Sequence, residues 1–177
     1  MKKVGRHAAV LAALLLALGV GSYALANSGS RTIRGNDLNG YEENLDVSTV
    51  ASGDFRARIN NDDSEVEYEL SYSNLEGDVL QAHIHFGKPA INGGISLFLC
   101  TNLGNGPAGT PTCPGPNSGT VTGTLDAADV VGPVGQGIEV GALGEILAAI
   151  RAGHAYANVH STKWPGGEIR AQLNDRG

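Results

Sequence analysis

The sequence predicts an all-β protein, a sandwich or barrel of short antiparallel strands with one short helix. Apolar and polar residues alternate with a period of two in several separate stretches, as they do on strands with one buried face. The chain of 177 residues contains 26 glycines, which suit many turns and few long helices. One segment, residues 143–152, has a helical period instead.

Eight stretches are predicted as strands. The clearest is 65–72, where Val66, Tyr68, Leu70 and Tyr72 alternate with polar residues. Residues 54–59 alternate in the same way, and the turn formers at 60–63 join the two stretches into a predicted hairpin. The remaining predicted strands are 31–38, 81–86, 95–99, 118–125, 155–160 and 168–173.

The predicted helix covers residues 143–152. Leu143, Ile146, Leu147 and Ile150 recur at helical spacing, and Gly153 follows where a helix C-cap places a glycine. We expect this helix to lie across one end of the sheets.

Residues 1–26 have the three parts of a secretory signal peptide. Lys2, Lys3 and Arg6 form a basic start, residues 8–20 are almost entirely apolar, and cleavage is predicted after Ala26. The apolar run of about 13 residues is shorter than the ~20 that span a bilayer, which favours a cleaved signal over a retained anchor. The expected mature protein is one domain, residues 27–177, secreted, periplasmic or at the cell surface, without a transmembrane segment.

The expected mature chain is acidic. The whole sequence has a net charge of −6, and removing Lys2, Lys3 and Arg6 makes it −9. Nucleic-acid binding depends on Lys and Arg meeting phosphates, so nucleic acid is excluded as a partner class. An acidic balance favours cationic partners, including metal ions.

Two cysteines, Cys100 and Cys113, flank a segment rich in glycine and proline. An even cysteine count in an exported protein predicts a disulfide. By closing this loop, the disulfide would stabilise the folded protein by about 3 kcal/mol. The alternatives are free thiols or thiolate metal ligands, although the long spacer does not match usual zinc spacings.

The histidines suggest a metal site. His83 and His85 stand at i and i+2 on a predicted strand, so both project from one face about 7 Å apart along the backbone. His160 ends another predicted strand. Three imidazoles suit zinc or copper, with water or a carboxylate such as Glu168 in a fourth position.

A structural interpretation of the same residues stays open. His83 and His85, with Asn158, Glu168 and Arg170, could form a buried hydrogen-bonded network that joins the last strands to the middle of the sandwich. Ala82, Ile84 and Phe86 would then face the core, and the imidazoles would face the other side of the sheet.

Four groups of motifs are spread along residues 31–173. They are Leu38-Asn39-Gly40 with Glu43; Ala82-His83-Ile84-His85-Phe86-Gly87; Gly123-Thr124-Leu125-Asp126; and Asn158-Val159-His160 with Pro165-Gly166-Gly167-Glu168-Ile169-Arg170. Together they resemble the CHRD domain, the module repeated in chordin and found alone in many exported microbial proteins. Two features depart from the family pattern: Asn44-Leu45-Asp46 replaces the usual Val-Pro-Pro run, and the loop with the two cysteines resembles an insertion.

The resemblance implies an immunoglobulin-like, Greek-key β-sandwich that is exported and has no established catalytic activity. The residues agree, because no serine or cysteine nucleophile has the context that catalysis requires, and we identify no catalytic residue. The sequence thus favours a non-enzymatic binding or structural module whose partner is an unidentified protein or a matrix or envelope component. A copper- or zinc-binding protein is the alternative.

Overall fold

The computed structural model describes residues 31–175, and the predicted signal peptide lies outside them. Within this range, eight strands form two four-stranded antiparallel sheets, which confirms the all-β sandwich. The strands are β1 (Thr32–Leu38), β2 (Ser52–Ile59), β3 (Val66–Ser73), β4 (Val79–Phe86), β5 (Gly94–Thr101), β6 (Gly119–Leu125), β7 (Ala155–Ser161) and β8 (Ile169–Gln172). The first sheet has the order β1-β2-β3-β6, and the second β5-β4-β7-β8. The finer immunoglobulin-like, Greek-key assignment stays a prediction.

The helix α1 (Leu143–Arg151) forms where its apolar period predicts it. Ala152 is its C-cap, and Gly153 follows with φ +74°, the left-handed conformation that glycine adopts without strain. Short 3-10 helices at Gly40–Glu42, Ala127–Asp129 and Val134–Gln136 complete the helical structure of the described residues. None of these helices is long and apolar enough to cross a membrane.

The core between the sheets is built from the alternate positions that the period-two pattern predicts. Phe55 and Leu70 of the first sheet and Ile84 and Val159 of the second are all buried in one hydrophobic cluster. The Tyr68 hydroxyl crosses from β3 to donate a hydrogen bond to the Leu99 carbonyl at 2.5 Å. The Tyr68 hydroxyl therefore has a hydrogen-bond partner while the tyrosine ring fills the core.

The loop between β5 and β6 is closed by a disulfide. Cys100 near the end of β5 is bonded to Cys113, with the two Cα atoms 4.9 Å apart. The predicted disulfide is thereby confirmed.

The two sheets differ on their outer faces. On β2 of the first sheet, buried and exposed residues alternate strictly, whereas all seven residues of β7 are buried. Three segments bring backbone and side-chain partners to the outer face of the second sheet: residues 39–51, 87–93 and 162–168. Its side chains therefore form a second buried layer, largely polar, and the candidate site lies in this layer.

Candidate metal centre

Three histidines on two paired strands converge on the buried outer face of the second sheet. In the antiparallel pair of β4 and β7, His83 lies opposite Asn158, and His85 lies opposite Tyr156. Because strand side chains alternate, His160 shares this face with both. The ligand atoms of the three imidazoles lie within 4.8 Å of one another, and within residues 31–175 no other histidine, cysteine or carboxylate set meets this criterion. The structure thus brings together the three residues that the sequence singled out.

Backbone carbonyls fix the tautomers of two of these imidazoles. His85 Nδ1 lies 2.9 Å from the Gly93 carbonyl oxygen, and His160 Nδ1 lies 3.0 Å from that of Pro165. A carbonyl only accepts, so each Nδ1 carries the proton and each Nε2 is unprotonated, with its lone pair able to accept. Histidines that bind metals usually donate their other N–H in this way. Both rings are therefore held in the tautomer that binds an ion through Nε2.

His83 reaches the group through its Nδ1 atom. That atom lies 3.1 Å from His160 Nε2, which accepts the His83 N–H in a hydrogen bond. Two nitrogen ligands on one tetrahedral ion are about 3.3 Å apart, given metal–nitrogen distances near 2.0–2.1 Å. An ion can therefore take the place of the proton between the two rings if His83 changes tautomer, so that its N–H lies on Nε2 and its Nδ1 lone pair faces the ion.

Burial keeps the imidazoles neutral. It is the leading cause that lowers the pKa of His83 to about 2 and the pKa of His85 to about 4, and it also lowers the pKa of His160. Repulsion from the neighbouring imidazoles lowers the pKa of His83 further. Neutral imidazole is the form that binds metals, so at neutral pH none of the three rings carries a second proton that an ion would have to displace.

Aromatic rings hold two of the imidazoles in place. The edge of Phe98 meets the His83 ring at a centroid distance of 4.5 Å. Tyr156 stacks on His85 at 4.8 Å with an interplanar angle of 2°. The Arg170 guanidinium lies over the same tyrosine ring, 3.4 Å from its centroid. These contacts restrict the orientations that the two imidazoles can adopt.

Arg170 positions the segment that orients His85. Its guanidinium donates hydrogen bonds to the carbonyls of Ile91 and Lys88 at 3.1 and 3.2 Å, although the side chain is only 1% exposed. These bonds hold the 87–93 turn, which supplies the Gly93 carbonyl that accepts from His85.

Glu43 is a buried carboxyl group near the centre that the sequence did not single out as a site residue. Asn158 Nδ2 donates to Glu43 Oε1 at 3.5 Å. Burial raises the pKa of Glu43 to about 7, against the opposing effects of Asn158 and of the Arg170 charge. Gly167 packs against this pair so closely that a Cβ atom there would lie 2.6 Å from Glu43 Oε1. The only sequence signal was the place of Glu43 in a family motif, because a glutamate in a predicted loop gives no sign of burial.

The three polar residues of the predicted network have different partners. Asn158 is bonded to Glu43, and Arg170 to backbone carbonyls. Glu168 Oε1 accepts from the Thr49 hydroxyl and from the Glu76 backbone N–H, both at 2.8 Å. Glu168 therefore fastens the 39–51 segment and lies outside the three-histidine group.

The comparisons with known proteins agree with the motifs in the sequence. The family model described as CHRD domain matches residues 35–173, a span that includes the three histidines and both sheets. A search of curated proteins found no match. A search of solved structures also found none.

Proposed function

This chain belongs to the CHRD domain family, and from that premise we propose that it is an exported, non-enzymatic β-sandwich module that binds one copper or zinc ion through His83, His85 and His160. The proposal rests on one observation: three neutral imidazoles converge, and in two of them a carbonyl fixes the proton on Nδ1 and leaves an unprotonated Nε2 within the group. The disulfide between Cys100 and Cys113 supports export, because such bonds persist in oxidising compartments.

A purely structural role accounts less well for the same histidines. A buried polar network stabilises a fold when each member finds a partner. Among the described residues, His83 Nε2 and His85 Nε2 are buried without a hydrogen-bond partner. Each such atom costs about 1–3 kcal/mol. An ion would use the lone pair of His85, which favours binding over packing as the role of this cluster.

The burial of the centre supports binding rather than turnover. The three histidines are at most 8% exposed, so an ion held between them would be largely shielded from a substrate. Catalytic metal sites keep an open position for water or substrate.

A second candidate is binding of a macromolecular partner through the 39–51 segment. Tyr41, Leu45 and Val50 on this segment are exposed, and Leu45 has φ +76°, a conformation that is uncommon for leucine. Buried Glu43 and the Thr49 hydrogen bond to Glu168 fix the segment, so these apolar side chains are presented from a rigid base. Retention of the purified protein on isolated cell-envelope material, compared with a Tyr41→Ser/Leu45→Asp variant, tests this candidate. Equal retention would rule it out.

Metal titration of the mature protein tests the proposed function. The apo protein is titrated with copper and with zinc, and bound metal is measured by elemental analysis after desalting. We expect one ion per chain, lost in His83→Ala and in His160→Ala.

His154→Ala is the matched control, because His154 is exposed and lies outside the group. It is expected to bind like the wild type. A wild-type protein that retains no metal, with variants that only unfold more easily, would refute the proposal and leave the structural role.

A further inference from the structure

We infer that the ion this centre selects is cuprous copper, Cu(I), in preference to Cu(II) or zinc. The inference rests on the proposed metal-binding function and concerns the charge that the site can hold. The donor set has three side chains and no carboxylate or thiolate, so it contributes no negative charge.

A divalent ion is penalised by the burial of this site. The cost of removing an ion from water rises with the square of its charge, so a divalent ion costs about four times as much as a monovalent one of similar size. With His83 fully buried and the other two histidines nearly so, little water can offset that cost. Divalent ions on three histidines usually reduce their charge by ionising a bound water, which needs an open position.

A buried positive charge acts on His85, because burial is the main cause that lowers the pKa of this imidazole and the Arg170 guanidinium lowers it further. Arg170 is buried over Tyr156, and that ring stacks on His85. Its repulsion acts on a divalent ion twice as strongly as on a monovalent one.

The hydrogen bonds of the nearby carboxyl groups are made to partners outside the three-histidine group, and Glu168 Oε2 is buried without a partner among the described residues. Glu43 is bonded to Asn158, and Glu168 to Thr49 and the Glu76 backbone. Neither belongs to the group of ligand atoms within 4.8 Å. A divalent ion would therefore lack the carboxylate that commonly completes a zinc or copper(II) site. Cu(I) needs no ligand beyond the three imidazoles.

Paired affinity measurements test this inference. Cu(I) affinity is measured under argon by competition with a chromogenic Cu(I) chelator, and the Cu(II) and zinc affinities by competition with chelators of those ions. We expect Cu(I) to bind at least a hundredfold more tightly than Cu(II). In direct electrochemistry this ratio raises the midpoint potential by about 120 mV above that of aqueous copper, since a tenfold change is about 59 mV in a one-electron couple.

The Glu43→Gln variant tests the electrostatic reasoning. The substitution keeps the hydrogen-bonding shape beside Asn158 but removes the carboxyl group that could ionise to balance a divalent ion. Cu(I) affinity should change less than about threefold, while Cu(II) affinity falls and the potential rises further. The inference would be overturned if the wild type bound Cu(II) or zinc more tightly than Cu(I). It would also be overturned if Glu43→Gln lowered the affinities for Cu(I) and Cu(II) equally. Either result would leave the proposed metal binding intact. Failure to bind any of the three ions would instead refute the proposed function.

Discussion

Gly167→Ala should destabilise the protein, whereas the adjacent Gly166→Ala should not. Gly167 has φ +129°, and a Cβ atom there would lie 2.6 Å from Glu43 Oε1 and 2.7 Å from Asn158 Nδ2. A non-glycine residue in such a conformation costs about 1–3 kcal/mol, and displacing the Glu43–Asn158 hydrogen bond costs about 1 kcal/mol more. We expect a total loss of about 3 kcal/mol, or about 6–12 °C in Tm for a domain of this size.

Urea unfolding followed by far-ultraviolet circular dichroism measures this difference. At Gly166 a Cβ atom would have no heavy atom within 4 Å, and the residue is not among those with positive φ, so its alanine variant should stay within about 1 kcal/mol of the wild type. Equal effects of the two substitutions, or a Gly167→Ala change below about 0.5 kcal/mol, would refute the packing argument for the 162–168 segment.

Three further predictions concern pH and the disulfide. Burial raises the pKa of Glu43 from 4.5 to about 7, so the folded protein holds this proton more tightly than the unfolded protein does. The resulting stabilisation of the fold is complete below pH 4.5 and is lost as the pH rises to 7. The Glu43→Gln variant cannot ionise, so its free energy of unfolding in urea titrations should gain up to about 3 kcal/mol relative to the wild type across that range. The pKa values of His83 and His85 in the folded protein are lowered from 6.5, so acid favours the unfolded protein. The free energy of unfolding should therefore fall below pH 6.5 by about 1.4 kcal/mol per pH unit for each histidine. A flat profile from pH 6.5 to 4.5 in the Glu43→Gln background would contradict this prediction. Replacing Cys100 and Cys113 together by alanine should cost about 3 kcal/mol in thermal unfolding, and an unchanged Tm would show that the loop closure contributes nothing.

The sequence predicted the strands well where one face meets solvent. β3 alternates apolar residues with glutamates, and its predicted and observed bounds differ by one residue at each end. β5 was harder, because two register shifts against β4 place Leu97, Leu99 and Cys100 all in the core. Such bulges interrupt the period of two, so the predicted stretch at 95–99 was shorter than Gly94–Thr101.

The candidate site was predicted in part. The spacing of His83 and His85 and the family motif at His160 indicated three histidines on one face, and the structure places them together. A buried network on that face was one of two interpretations that the sequence left open, and the segments that cover the face could not be predicted because they fold back from distant positions in the chain. The carbonyls of Gly93 and Pro165 orient the rings without any side-chain pattern that a sequence could display.

The central claim is that His83, His85 and His160 together hold one metal ion, and X-ray absorption spectroscopy of the copper-loaded protein tests it most directly. We predict three imidazole nitrogen ligands at about 2.0 Å in the wild type, and loss of this imidazole signal in the His160→Ala variant, which is expected to lose the ion. A wild-type spectrum with only oxygen ligands, or one that does not change when His160 is removed, would contradict the account.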